Sequence, residues 1–122
     1  MSDLAPEIEA QLPLTPTVHH ILLALADQER HGYGIMQEVA SMTQGRINMG
    51  PGTLYGSIKR MLKAKLIEEL DERPNPGLDD ERRRYYRLSS FGRKVLLAES
   101  QRLAALVQVA REKFNLDGAE VI

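Results

Sequence analysis

The chain has no cysteine and no tryptophan, only two phenylalanines and four tyrosines, and no apolar run near the length of a membrane span. Without cysteine there are no disulfides, thiolate metal sites or cysteine nucleophiles. A bilayer-spanning helix needs about 20 apolar residues, and no stretch comes close. The start, Met1-Ser2-Asp3-Leu4-Ala5-Pro6-Glu7, is acidic and lacks the basic opening and apolar core of a signal peptide, so residence in the cytoplasm is expected. No phosphate loop, dinucleotide fingerprint or nucleophile elbow is present, which argues against an enzyme and gives no reason to expect a cofactor. His19 and His20 are neighbours and point to different sides of a helix, and His31 lies far along the chain, so no metal site is expected.

What is present is an uneven charge. The net charge is −1, yet residues 1–45 carry one basic and six acidic side chains, while residues 46–94 carry twelve basic and seven acidic. Segregation of this kind creates a local positive field that the total conceals. At 122 residues the chain is the size of one domain.

The apolar spacing gives the elements. Residues 1–13 read as a loosely docked arm. Thr15-Pro16 starts a first helix whose Val18, Ile21, Leu22 and Leu25 share a face. Asp27 to Gly32 breaks that helix, and a second covers Tyr33 to Met42. Arg46-Ile47-Asn48-Met49 reads as a short strand. Gly50-Pro51 opens a third helix, in which Leu54, Ile58, Met61 and Leu62 fall on one arc and Gly52, Gly56, Lys59, Arg60 and Lys63 on the other. Two strands, Leu66 to Asp71 and Arg82 to Leu88, flank a turn-rich loop with Arg73-Pro74-Asn75-Pro76-Gly77. Ser89 or Ser90 caps a last helix from Phe91 to Phe114, roughly 36 Å long. Its Leu96, Leu103, Leu106, Val107, Ala110 and Phe114 form an apolar stripe that a small core does not need, and a second copy of the chain is the expected partner.

The resulting class is α+β and mostly helical, with a small antiparallel wing of two or three strands and a long C-terminal dimerisation helix. The divisions expected are an arm (1–13), a winged-helix domain (14–89), the dimerisation helix (90–115) and a tail (116–122). A basic helix, a strand, a turn-rich loop and a basic strand follow in the order of a recognition helix and its wing. Lys59, Arg60 and Lys63 supply cations for phosphate, Thr53, Tyr55 and Ser57 offer hydroxyls, and Arg82, Arg83 and Arg84 suit a wing against the minor groove or backbone. The same basic face could instead meet an acidic protein, making the chain a winged-helix interaction module.

Leu22-Leu23-Ala24-Leu25, His31-Gly32-Tyr33-Gly34-Ile35, Gly50-Pro51-Gly52-Thr53-Leu54-Tyr55, Leu66-Ile67-Glu68, Arg83-Arg84-Tyr85-Tyr86-Arg87-Leu88 and Phe91-Gly92 together resemble the PadR family of winged helix-turn-helix transcriptional regulators. The resemblance runs from about Leu14 to Phe114. It implies a homodimer joined by the C-terminal helix, with two recognition helices in successive major grooves of a dyad-symmetric operator on double-stranded DNA. It implies a repressor, often released by a small hydrophobic or aromatic effector, and a compact chain with a single C-terminal helix. It adds Tyr33 to Thr53, Tyr55, Lys59 and the wing arginines as DNA contacts. Some compact members stack planar drugs between tryptophans; Leu103 stands at the matching position here. An effector would therefore meet aliphatic walls, with Val18, Leu22 and Leu103 as candidates.

Overall fold

The computed structural model describes residues 4–70 and 84–115. Five helices and three short strands follow one another as α1 (Pro6–Glu9), α2 (Pro16–Ala24), β1 (Arg30–His31), α3 (Gly32–Met42), α4 (Pro51–Lys63), β2 (Ile67–Leu70), β3 (Tyr85–Leu88) and α5 (Ser90–Phe114). The class read from the sequence is therefore the class found. None of the described helices is long and apolar enough to cross a membrane.

Local chemistry sets the helix starts. The Thr15 hydroxyl accepts the Val18 N–H at 3.3 Å, with Pro16 at the first helical position of α2. His31 Nδ1 accepts the Gly34 N–H at 3.0 Å and caps α3. Ser89 Oγ accepts the Gly92 N–H at 2.8 Å and donates to the Lys65 carbonyl at 2.6 Å, so one hydroxyl caps α5 and ties it to the end of α4. A Cβ on Gly92 would run into the Leu66 carbonyl, and only glycine lets α5 start so close to the strand lead.

The sheet order is β1-β3-β2, all antiparallel, with Ile67 opposite Leu88, Glu68 opposite Arg87 and Arg30 opposite Tyr86. Two expectations change here. The stretch Arg46–Met49 is not a strand but an irregular link after the turn at 43–45: Thr43 Oγ1 accepts the Ile47 N–H at 3.1 Å, and Asn48 Nδ2 donates to the Gly45 carbonyl at 2.7 Å. The third strand is instead Arg30–His31, inside the segment read only as a helix breaker. Residues 1–13, read as a loose arm, contain the α1 turn; Ile8 within it and Leu12 after it pack on the core.

The core gathers Ile21, Leu22 and Leu25 of α2, Ile35 and Val39 of α3, Leu54, Ile58 and Met61 of α4, and Val95 and Leu96 of α5. Burial of this apolar surface is the main force holding the helices together. Leu96, placed by its spacing in the pairing stripe, is only 6% exposed and belongs to the core of its own chain. From Gln101 onward α5 runs off the body, and Leu106, Val107, Val109 and Phe114 lie exposed.

Candidate nucleic-acid interface

Leu54, Ile58 and Met61 anchor α4 in the core, so the opposite arc of the helix must face out. That arc carries Gly52, Gly56, Lys59 and Lys63, with Tyr55 on one flank and Arg60 and Thr53 on the other. All but the half-buried Gly56 are exposed, and Tyr55 is 49% exposed. The helix contains no acidic residue, and Lys59, Arg60 and Lys63 make no ion pair with a described carboxylate. Its N-terminus is capped by no side chain, so its first N–H groups point outward unclaimed by a cap. A row of unpaired cations below free N–H donors is what a phosphate backbone recognises.

Tyr33 and Tyr55 extend this face. Tyr33, at the start of α3, is 58% exposed. The Tyr55 ring lies over Gly32, where a Cβ would strike its hydroxyl and Cζ, so a glycine at the start of α3 is the condition for the tyrosine's seat. Gly56 is different. A Cβ there would meet nothing nearer than Arg60 Nη1 at 3.7 Å, so the fold itself does not require this glycine.

Ser57 does not belong to the face. It is fully buried, donates to the Thr53 carbonyl at 2.8 Å and accepts from Arg60 Nη2 at 3.2 Å. Its hydroxyl positions Arg60 and is closed to a ligand, a correction to the sequence reading.

The wing is electrostatically unlike α4. Arg84 Nη1 lies 3.3 Å from Glu69 Oε1, and Arg87 Nη2 lies 3.2 Å from Glu68 Oε2. The Glu68–Arg87 pair follows from strand register, since the two residues stand directly opposite. Each described wing arginine thus has a carboxylate of its own. Arg82 and Arg83 lie outside the described residues. Burial, helped by the Glu69 charge, pushes the Tyr86 hydroxyl up, keeping it a neutral part of the sheet.

The suggested effector residues do not line one cavity. Val18 lines a cavity of about 190 Å³ with Pro13, Leu14, Arg60, Met61 and Leu66. Leu22 is fully buried in the core, and Leu103 is half-buried on α5, outside that lining. No cluster of three or more potential ligands able to hold a metal occurs among the described residues.

One site the sequence reading passed over is Glu99. It sits on the inner face of α5, four residues after Val95 and three after Leu96, and is 1% exposed. The Leu14 N–H donates to its Oε2 at 2.7 Å, and Arg102 donates from Nε to Oε1 and from Nη2 to Oε2 at 3.2 Å. The Arg102 guanidinium and the Leu14 N–H hold its carboxyl below the usual range, against the opposing effect of burial. His19, whose buried Nε2 has no hydrogen-bond partner among the described residues, feels this carboxylate; burial nonetheless pulls the imidazole below its ordinary value. The signal was legible as an acid on an apolar arc followed three residues later by an arginine.

Comparison with known proteins agrees with the fold. The model of the transcriptional regulator PadR-like family matches residues 21–98. An uncharacterized 37.1 kDa protein in transposon TN4556 of Streptomyces fradiae is 34% identical over 86 residues, or 70% of this chain; the match spans only 22% of that relative's length. A transcriptional regulator from Clostridium thermocellum superposes with a TM-score of 0.64 at 21% identity, covering 91% of this chain and 97% of the other. A PadR-like transcription factor from Bacteroides fragilis superposes with a TM-score of 0.61 at 20% identity, covering 86% and 96%. At these identities the superpositions speak for the fold alone.

Proposed function

This chain belongs to the PadR-like family of transcriptional regulators, and we propose that it is a cytoplasmic repressor that binds a dyad-symmetric DNA operator as a homodimer. The observation that carries this reading is the basic face of α4, whose cations pair with no described carboxylate. Lys59 and Lys63 stand one turn apart beside the smooth strip of Gly52 and Gly56, with Tyr55 at the edge. In the major groove, Gly56 would admit close backbone approach, Lys59, Arg60 and Lys63 would meet phosphates, and Tyr33, Thr53 and Tyr55 would reach phosphate or base edges. The wing arginines Arg82, Arg83 and Arg84 would add contacts outside the groove. The outer half of α5, with Leu103, Leu106, Val107, Ala110 and Phe114 on one arc, would pair two copies. Release by a small hydrophobic ligand would use the Val18 cavity.

Binding to the promoter fragment upstream of the chain's own gene, followed by fluorescence anisotropy across a salt series, tests this. Neutralising one phosphate contact lowers the log–log salt slope by about 1. Lys59→Gln and Lys63→Gln are each expected to do so. Arg84→Gln should do less, because that guanidinium already has Glu69 as a partner. A slope unchanged in both lysine variants would remove α4 from the DNA.

A further inference from the structure

A charged carboxylate buried this deeply is an expensive choice. An apolar side chain of similar size would pack at lower cost, and buried ionic groups are best attested where they fix one arrangement among several. Glu99 marks the place where α5 leaves the body: Val95, Leu96 and Ala98 just before it are buried, and from Gln101 on no residue of the helix is. The apolar driving force is not directional and does not by itself single out one helix direction. The bond from the Leu14 N–H is directional, and it joins α5 to the residue just before the cap of α2. Arg102, with both carboxylate oxygens in its fork, locks the Glu99 rotamer from the exposed side.

We propose that Glu99 is a positioning residue. It fixes the direction of α5 relative to α2 and so, resting on the dimer reading above, the distance between two DNA-reading helices. The lever is long. From Glu99 to Phe114 the helix runs roughly 22 Å at about 1.5 Å per residue, so a tilt of about 10° at Glu99 displaces the far end by roughly 4 Å. That exceeds the rise of one base pair, about 3.4 Å. An error at this one hydrogen bond would misplace the second half-site by a whole step.

Because the chain has no cysteine, two introduced thiols give unique spin labels. Ser41→Cys on α3 and Gln108→Cys on α5 are both at exposed positions. Labelled chain diluted into unlabelled chain reports the distance within one protomer by pulsed electron resonance. The background with native Glu99 should give a narrow distribution. Glu99→Leu should broaden or shift it by several ångström, and Glu99→Gln, whose amide oxygen still accepts from Leu14, should fall between. Arg102→Gln, at a partly exposed side chain, loosens the same carboxylate if Glu99→Leu does not fold. In parallel, binding to half-sites at graded spacings should lose its preference for one spacing in the order Gln, then Leu, while affinity for a single half-site stays the same. An identical distance distribution in every folded variant overturns the proposal, whatever happens to melting temperature. A distribution that broadens while spacing preference persists supports the orienting role of Glu99 and overturns the pairing role assigned to α5.

Discussion

The two halves of α5 are one unbroken helix and two different environments. The inner half, up to Glu99, lies against the body with Val95, Leu96 and Ala98 buried; the outer half leaves Leu106, Val107, Val109 and Phe114 largely in solvent. Their sequences look alike, since both carry apolar side chains at helical spacing. Periodicity identifies an apolar arc, but not whether the surface covering it belongs to the same chain. Only the length of the body, which ends near Glu99, separates the two.

The largest expected effect is on the inner half. Leu96→Ala removes a side chain from a closed core and should cost about 2–4 kcal/mol of folding stability. Urea unfolding at fixed protein concentration measures it. A cost below about 1 kcal/mol would mean that Leu96 is not core and that the division at Glu99 is drawn in the wrong place.

The outer half should respond in another observable. Leu106→Asp places a charge on an arc that solvent already reaches, so the isolated fold should keep its helical circular dichroism. If this arc pairs two copies, the dimer dissociation constant should rise roughly 30-fold, about 2 kcal/mol. The melting temperature of the native dimer, but not of the variant, should then climb with protein concentration. Sedimentation equilibrium that finds the same association state for both chains would count against a pairing role for this half.

Much of this architecture was legible in the residues. Pro16 and Pro51 stand at helix starts, Thr15 and Ser89 at caps, and the basic arc of α4 was visible because its apolar arc was. What was not legible depended on distant partners. Arg30–His31 becomes a strand only because Tyr85 and Tyr86 lie alongside it, and nothing local to Arg30 announces them. Arg46–Met49 has the composition of a strand but pairs with none of the described strands, and side-chain bonds from Thr43 and Asn48 hold it as an irregular link. At the candidate interface the cations of α4 could be read, whereas the inward turn of Ser57 and the carboxylate partners of Arg84 and Arg87 could not. Hydroxyl orientation and cross-strand register are set by tertiary structure.

The finest contrast between the halves is in pH, because the inner half buries a titrating pair. Glu99 has its carboxyl held below the ordinary 4.5, first by Arg102 and then by the Leu14 N–H. On acidification the unfolded chain therefore takes up this proton before the folded one does. The stabilisation is complete above about 4.5 and is lost as pH falls further. His19 has its imidazole lowered from 6.5 by burial, so here too the unfolded chain binds the proton first, and stability begins to fall once pH drops through 6.5. Both groups therefore weaken the fold in acid, in two windows. The charge of Glu99 opposes the effect of burial on His19. Glu99→Gln should accordingly flatten the window below 4.5 and, with that attraction gone, steepen the one just below 6.5. His19→Gln should flatten the upper window alone. Urea midpoints taken from pH 7.5 to 3.5 separate the two outcomes, and a Glu99→Gln curve parallel to the native one above about 4.5 would mean that the carboxylate and the imidazole do not sense each other across α2 and α5.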